Sequence, residues 1–351
     1  MKEEIRAWWN YTLGKHWLKT PPILTLFLTN RCNAHCQHCF YWQGKGRKGD
    51  ELSLAEIEKL SRSLDHLELL LVSGGEPFLR RDLVEIISLF YRNNGLRSVS
   101  LITNGLVPAT SRTVERIMSS LPGLQVIVPL SLLGEAAVHN RIVGVKDAFV
   151  KVQRTFKELL EVKSRFPGLR LRFNLTVFEA NYDSAWNLFG RMRELFPGGD
   201  ETVWNLSLSL LRGDPRDPDL KLPGVDRLKM LFRHKLKTFK GNGSWSAKLL
   251  ERLVFAAQIK VLTEGKRKLP CEAGRLEGVV YENGGVALCE MLPSVGNLKR
   301  HSFKQIWRGR KARSGRKRIV RGECACTHEC YFFPSLVAHP LSWIKLVGNL
   351  V

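Results

Sequence analysis

The chain lacks any apolar run long enough to form a transmembrane helix. Its first residues, MKEEIRAWW, also lack the basic and then apolar order of a secretory signal peptide. We therefore expect a cytoplasmic protein. Hydrophobic residues make up 44% of its 351 positions, enough to form one large domain and a smaller module.

Acidic residues are scarce, with 33 Asp and Glu against 55 Lys and Arg, which gives a net charge of +22. Residues 299–321 contain no acid at all. Such a surface favours nucleic acid, phosphorylated substrates or acidic lipid head groups, but a solvated helix face is an equal alternative. The aromatic and basic segment 1–20 and the apolar tail 336–351 could touch a membrane surface. They could also dock on the body of the protein, which is commoner.

Cysteines number only eight, but their spacing is informative. Cys32, Cys36 and Cys39 lie on one short stretch after an apolar run. In a reducing compartment, such spacing favours metal ligation over disulfides. Three thiolates can hold three irons of a cubane cluster and leave the fourth iron open for chemistry. Unrelated structural thiols, or ligation by His35 or His38, are the alternatives.

Short apolar runs alternate with helical spacing from residue 21 onward. The runs cover residues 23–29, 67–73, 98–103, 124–132, 169–178 and 203–211. Six such repeats predict an α/β fold, a partial (β/α)6 TIM-type barrel over residues 21–215. A helical connection at 216–265 and a small cysteine-rich iron–sulfur extension at 266–335 complete the predicted organisation.

Polar residues follow the predicted strands at their carboxyl ends, where barrels of this type place their active sites. They are Cys32–Cys39, Ser73-Gly74-Gly75-Glu76-Pro77, Thr103-Asn104-Gly105, Ser131, Asn174 and Arg212-Gly213-Asp214-Pro215. Each signal alone is weak, since Asn-Gly pairs and strand-end serines are common in turns. Their shared position predicts one functional rim.

Cys32, Cys36, His38 and Cys39 closely resemble the Cys-x3-Cys-x-aromatic-Cys signature of the radical S-adenosylmethionine (radical SAM) enzymes. The resemblance implies a [4Fe-4S] cluster whose open iron is chelated by S-adenosylmethionine. An electron, supplied by a reductase or by a flavodoxin- or ferredoxin-type donor, then yields a 5′-deoxyadenosyl radical that abstracts hydrogen from substrate. His38 stands where the family has Tyr or Phe, and it would pack against adenine.

The same resemblance assigns the remaining rim residues. Gly74, Gly75, Glu76 and Pro77 match the motif that receives the cofactor's ammonium group, because glycines allow close approach and a carboxylate offsets the charge. Ser131 is expected near the ribose, with Asn104 and Asn174 on the same rim. Peptide-modifying members often carry Ser-x-Asp-Gly after the fourth strand. Here Leu133 replaces the aspartate, which weakens the case for a specific peptide-modifying activity.

The cysteine-rich tail resembles the SPASM or twitch extension of radical enzymes, through the pattern Cys271, twelve residues, Gly284, four residues and Cys289. The cysteines of the tail are Cys271, Cys289, Cys324, Cys326 and Cys330. Five thiolates suffice for one four-cysteine auxiliary [4Fe-4S] cluster, but not for two. Cys271 and Cys289, followed by Cys330, are the expected ligands. Whether Cys324 or Cys326 completes the set stays open, and a structural zinc site is the alternative.

The sequence thus predicts a radical SAM enzyme with an unidentified substrate. A ribosomal-peptide maturase, or an enzyme acting on a lipid or an anionic small molecule, is the alternative within this class. A basic nucleic-acid-binding protein with structural clusters is the alternative from another class. The GGEP motif makes nucleic-acid binding the weaker hypothesis, because a structural cluster needs no cofactor pocket.

Overall fold

The computed structural model describes residues 19–44, 51–239, 245–267 and 269–339. Most of the aromatic segment 1–20 and of the apolar tail 336–351 lies outside these residues. The hypothesis that these ends touch a membrane therefore stays a prediction. In the described part of the chain, no helix combines the length and the apolar character needed to span a bilayer.

One sheet organises the structure, and its order is β6-β5-β4-β3-β2-β1-β7-β8-β9. The strands are β1 (Ile23–Thr29), β2 (Leu69–Gly74), β3 (Ser98–Leu101), β4 (Gln125–Ser131), β5 (Leu169–Val177), β6 (Ser207–Leu210), β7 (Glu277–Val280), β8 (Gly285–Ala287) and β9 (Gly296–Asn297). Strands β1 to β6 pair in parallel with their chain neighbours, and the sheet does not close. The predicted partial barrel is confirmed.

Burial explains why these segments form strands. All seven residues of β1 are buried, as expected for a central parallel strand covered on both faces. The first half of β5 instead alternates between buried and exposed residues, which leaves its polar side chains in solvent. The apolar core therefore lies between the sheet and the helices that connect its strands.

The helices follow the strands in the predicted alternation. They are α1 (Leu54–Arg62), α2 (Leu83–Asn94), α3 (Thr110–Ser120), α4 (Ala136–Val143), α5 (Ala148–Arg165), α6 (Tyr182–Leu195), α7 (Glu201–Trp204), α8 (Val225–Thr238), α9 (Trp245–Glu264), α10 (Phe303–Arg308), α11 (Arg310–Val320) and α12 (Glu329–Ala338). The capping box of Ser53 and Glu56 at the start of α1 is present.

The sixth strand is shorter than the apolar run 203–211 predicts. The side chain of Asp200 accepts hydrogen bonds from the backbone nitrogens of Thr202 and Val203, both at 3.0 Å, and so caps α7. This cap draws the first residues of the run into a helical turn. Strand β6 consequently begins at Ser207.

The cysteine-rich extension continues the main sheet. Strand β7 pairs in parallel with β1, with Ile23 opposite Glu277, and β8 and β9 then add antiparallel strands. Helix α12 packs against α9 through an apolar cluster that includes Leu253, Phe332 and Leu336. The extension and the barrel therefore share one layer of hydrogen-bonded strands.

Candidate functional site

The loop that carries Cys32, Cys36 and Cys39 is held in place from two sides. The backbone nitrogen of His35 donates to the carbonyl oxygen of Val143, the last residue of α4, at 2.9 Å. From the other side, the nitrogen of Arg216, beyond β6, donates to the carbonyl of Cys39 at 3.1 Å. The three side chains are half-buried thiols rather than disulfides. This partly exposed set of three soft ligands fits an iron–sulfur cluster.

The GGEP segment packs directly against this cysteine loop. The nitrogen of Gly75 donates to Thr29 O at 2.7 Å, and that of Glu76 donates to Arg31 O at 2.8 Å. Gly74 has φ +116°, and a Cβ atom there would lie 2.5 Å from Thr29 O. A Cβ atom on Gly75 would lie 2.0 Å from Arg31 O. The two glycines therefore let the two predicted motifs meet.

The carboxylate of Glu76 joins the ends of β2 and β3. It accepts hydrogen bonds from Phe78 N at 3.2 Å, Thr103 Oγ1 at 3.0 Å and Asn104 N at 2.8 Å. Pro77 begins the short 3-10 helix that Glu76 caps. Burial raises the pKa of this carboxyl group to about 7, although the three donors favour its charged form. Three of its roughly four acceptor positions are used, which leaves one position for a further donor.

Asn104 lies against the cysteine loop, as the predicted rim requires. Its Nδ2 atom is 3.8 Å from Cys32 Sγ and 2.8 Å from Asn33 Oδ1. Its Oδ1 atom accepts from Leu106 N at 2.9 Å, which fixes the orientation of the amide. An amide donor directed at a thiolate ligand stabilises the thiolate's negative charge.

Ser131 and Asn174 are direct neighbours on adjacent strands, with their Cα atoms paired in register. The nitrogen of Ser131 donates to Thr103 O at 3.0 Å, and that of Leu132 donates to Asn174 O at 2.9 Å. The ends of β3, β4 and β5 thus bring the predicted residues to one rim. Their contacts with a cofactor stay predictions.

The ring of His38 stacks on Phe178, the residue after β5, with centroids 5.9 Å apart and planes at 20°. One face of the imidazole is therefore used in packing between the cysteine loop and β5. The predicted contact with adenine would have to use the opposite face or the ring edge. That contact stays a prediction.

A buried ionic group that the sequence did not reveal joins the rim to the extension. The guanidinium of Arg212 lies 4.5 Å from the ring centroid of Phe40 and 3.3 Å from Glu290 Oε2. The same Glu290 oxygen lies 2.9 Å from His328 Nε2. Burial alone would raise the pKa of Glu290, but Arg212 and then His328 outweigh it and hold the pKa at about 2. Glu290 follows Cys289 directly, so this group lies beside the tail cysteines.

Cys326 lies within electrostatic reach of three other tail cysteines. Burial, and further the charge of Cys326, raise the pKa of Cys271, Cys289 and Cys324. Burial also raises the pKa of Cys330, with Glu329 as the next cause and Arg212 opposing it. Raised thiol pKa values mean that these sulfurs are poor anions until a cation replaces their protons.

His328, Glu329 and Cys330 form a compact group, with potential ligand atoms within 4.8 Å of one another. Two of its members have other partners, because His328 contacts Glu290 and Glu329 accepts from Ser209. The group therefore belongs to the buried ionic cluster of Arg212, Glu290 and His328. It does not form a separate metal site.

Comparisons with known proteins agree with this geometry. The radical SAM superfamily model matches residues 26–173, and the iron-sulfur cluster-binding SPASM domain model matches residues 271–331. A probable GTP 3′,8-cyclase of Methanothermobacter thermautotrophicus is 43% identical over 49% of this chain and 53% of its own length. The antilisterial bacteriocin subtilosin biosynthesis protein AlbA of Bacillus subtilis is 25% identical over 84% of this chain and 61% of its own. The chain thus spans between half and two thirds of these curated relatives.

Solved structures support the fold. Streptococcus suis SuiB bound to S-adenosylmethionine superposes with a TM-score of 0.61 at 14% identity, covering 86% of this chain and 69% of SuiB. Native anSMEcpe with bound AdoMet gives a TM-score of 0.58 at 15% identity, covering 93% of this chain and 99% of that one. The family models include the three cysteines of the loop, the GGEP segment and all five tail cysteines. The chain therefore carries a radical SAM domain over residues 26–173 and an iron-sulfur cluster-binding SPASM domain over residues 271–331.

Proposed function

We propose that this chain is an enzyme that binds a [4Fe-4S] cluster through Cys32, Cys36 and Cys39 and binds S-adenosylmethionine beside it. When bound, the reduced cluster supplies the electron that cleaves the cofactor to a 5′-deoxyadenosyl radical, which takes hydrogen from a substrate. The contact between the GGEP segment and the cysteine loop carries this proposal. It supports the proposal because the predicted ammonium acceptor, Glu76, is hydrogen-bonded through its backbone to Arg31, directly before the three thiols.

The chain's own residues would bind and orient the cofactor. Glu76 offers the remaining acceptor position of a buried carboxylate, and an ammonium there would favour its charged form. Asn104 directs an amide donor at Cys32, and Ser131 and Asn174 present polar groups on the adjoining strand ends. Ser131 and Asn174 lie on strands, and Glu76 and Asn104 follow strand ends within three residues. Their positions are therefore fixed before any ligand binds.

For the auxiliary [4Fe-4S] cluster we propose Cys271, Cys289, Cys324 and Cys326 as ligands. The electrostatic coupling of Cys326 to the other three supports this set. Cys330 is the remaining thiol, since Glu329 and Arg212 are the charges that act on it most strongly. This assignment differs from the sequence-based order, which placed Cys330 ahead of Cys324 and Cys326.

As the substrate of this chemistry, we propose a ribosomal peptide. The alignment with AlbA, a bacteriocin biosynthesis protein, extends over both the barrel and the extension. The missing carboxylate after β4 does not support this choice, because Leu132 and Leu133 are buried and offer no polar group to a peptide. A lipid or anionic small molecule remains the alternative substrate.

Anaerobic purification followed by iron and sulfide analysis tests the proposal. We expect about eight irons per chain, and release of 5′-deoxyadenosine when dithionite and S-adenosylmethionine are added. Replacing Cys32, Cys36 and Cys39 by Ala should abolish release and leave about four irons. Zinc in place of iron, or no cleavage by the fully loaded protein, would contradict the proposal. Salt-sensitive RNA or DNA binding without cleavage would favour the nucleic-acid hypothesis.

A further inference from the structure

The outer face of α11 is strongly cationic. Ala312 and Ile319 are buried and anchor the helix, whereas the opposite side is exposed. The exposed cations of this side are Arg310, Lys311, Arg313, Lys317, Arg318 and Arg321. Glu323, just beyond the helix, pairs with Arg318 at 2.7 Å and Arg321 at 3.9 Å. One acid against six cations gives this surface a strong net positive charge. We call this surface the α11 face.

An apolar cavity of about 310 Å³ opens beside this helix. Leu292, Val295 and Ile319 contribute apolar lining, and Lys311 and Arg318 bring cations to it. Glu323 also lines the cavity and pairs with Arg318, so the cations of the α11 face lie beside the apolar lining and do not enclose it. An apolar patch next to a charged surface is the pattern of a protein docking surface, where burial stabilises the complex and charge guides association.

The cavity also reaches the tail cysteines. Cys324 is one of its lining residues, and Leu288, which precedes Cys289, is another. Helix α11 packs closely on this leucine, since a Cβ atom on Gly315 would lie 2.6 Å from Leu288 Cδ1. A partner seated on the α11 face would therefore sit beside two of the proposed ligands of the auxiliary cluster.

We propose that the α11 face docks an acidic one-electron carrier protein, which delivers reducing equivalents through the auxiliary cluster. The inference rests on the proposed function, because reductive cleavage needs an electron for each turnover. The carrier would lose one electron, and a cluster held by Cys324 and the other proposed tail ligands would accept it. Complexes of electron-carrier proteins have small interfaces and are short-lived, and charge complementarity speeds their formation.

Nucleic acid fits this face less well. Single strands bind where exposed aromatic rings can stack on bases, and Phe303 and Trp307 in this region are both buried. An anionic membrane would use the same cations but has no need of a surface next to the tail cysteines. Both partners are nevertheless outcomes that the experiment can detect.

The test compares Lys311→Glu/Lys317→Glu with a control, Arg154→Glu/Lys157→Glu, that makes the same charge change on exposed positions of α5. Binding of an acidic flavodoxin to the purified holoenzyme is measured by fluorescence anisotropy at low and high salt. We expect Kd to rise about tenfold or more for the α11 variant at low salt and about twofold or less for the control.

The activity measurement separates this inference from the proposed function. With dithionite as reductant, the wild type and both variants should release 5′-deoxyadenosine at the same rate, whereas with reduced flavodoxin the α11 variant should be slower. If dithionite gives no release from the wild type, the proposed function fails, and flavodoxin binding still decides the docking site. Equal flavodoxin affinity in both variants would overturn the inference. So would charge reversal that weakens binding of RNA or anionic phosphatidylserine vesicles but not of flavodoxin.

Discussion

Arg212 and Glu290 form an ion pair at 3.3 Å although they lie on different parts of the molecule. Arg212 follows β6 and lies over Phe40, the neighbour of Cys39, whereas Glu290 follows Cys289. The pair thus ties the loop of the first cysteines to the loop of the tail cysteines. Glu290 is only 6% exposed at its side chain, so loss of its partner would leave a poorly compensated charge.

Arg212→Met should lower the free energy of unfolding by about 3 kcal/mol, because the buried carboxylate of Glu290 would lose its guanidinium partner. Urea denaturation of the metal-free protein measures this. The matched control is Arg191→Met, whose pairs with Glu135 and Glu194 are partly exposed and should contribute about 0.5 kcal/mol. Equal changes in the free energy of unfolding for the two variants would contradict a stabilising role of the Arg212–Glu290 ion pair.

Gly75→Ala should prevent the cysteine loop from taking its position. The added methyl group would lie 2.0 Å from Arg31 O, and a backbone atom cannot move aside as a flexible side chain would. We expect the first cluster to be lost, with about four irons retained by the extension and no release of 5′-deoxyadenosine. Gly190→Ala in α6 is the control, because its added methyl group meets nothing within 4 Å. Normal iron content in the Gly75 variant would contradict the prediction.

The buried carboxyl group of Glu76 should make stability depend on pH. Its pKa rises from 4.5 to about 7 on folding, so between these values the folded state binds more protons than the unfolded state. The contribution of Glu76 to stability should therefore fall as pH rises from about 4.5 to about 7, by on the order of 3 kcal/mol. Glu76→Gln should remove this contribution from urea titrations and leave those of Glu277, whose pKa burial raises to about 8, and His139, whose pKa burial lowers to about 4. Glu85→Gln, at an exposed position of α2, should leave the pH dependence unchanged. If stability depends on pH in the same way in the Glu76 variant, the Glu76 carboxyl group does not contribute to that dependence.

The tail cysteines offer a test of the ligand assignment. Cys326→Ala should remove the auxiliary cluster and lower the iron content from about eight to about four. Cys330→Ala should keep about eight irons per chain. The thiol of Cys330 lies among Glu329, Arg212 and Glu290 and is not one of the proposed ligands. Electron paramagnetic resonance of the reduced proteins would show which cluster is lost. The reverse pattern would assign Cys330 to the cluster.

The sequence predicted those features that depend on local pattern. Continuous apolar runs gave five of the parallel strands to within about two residues at each end, because burial on both faces requires such runs. Helix α6, Tyr182–Leu195, follows β5 in the predicted alternation. The predicted meeting of the cysteine loop and the GGEP segment also holds, since both follow neighbouring parallel strands.

Features that depend on contacts between distant residues were not predicted. Nothing in the local sequence pairs Arg212 with Glu290, because the two residues are brought together only by the fold. The structural reason for a glycine at position 75 also goes beyond what the sequence suggested. The sequence suggested approach of the backbone to a cofactor, whereas the structure shows that Gly75 also leaves room for the carbonyl of Arg31.

The parallel pairing of β7 with β1 has a consequence for engineering. Strand β1 leads into the loop of the first cysteines, and its seven residues are buried between β2 and β7. Removing the extension would leave β1 as an unpaired apolar edge, which invites aggregation. An extension borrowed from a relative would have to match the hydrogen-bond register of β1 rather than the length of a linker. The extension is therefore part of the sheet that holds β1 in place, and it cannot be exchanged as an independent module.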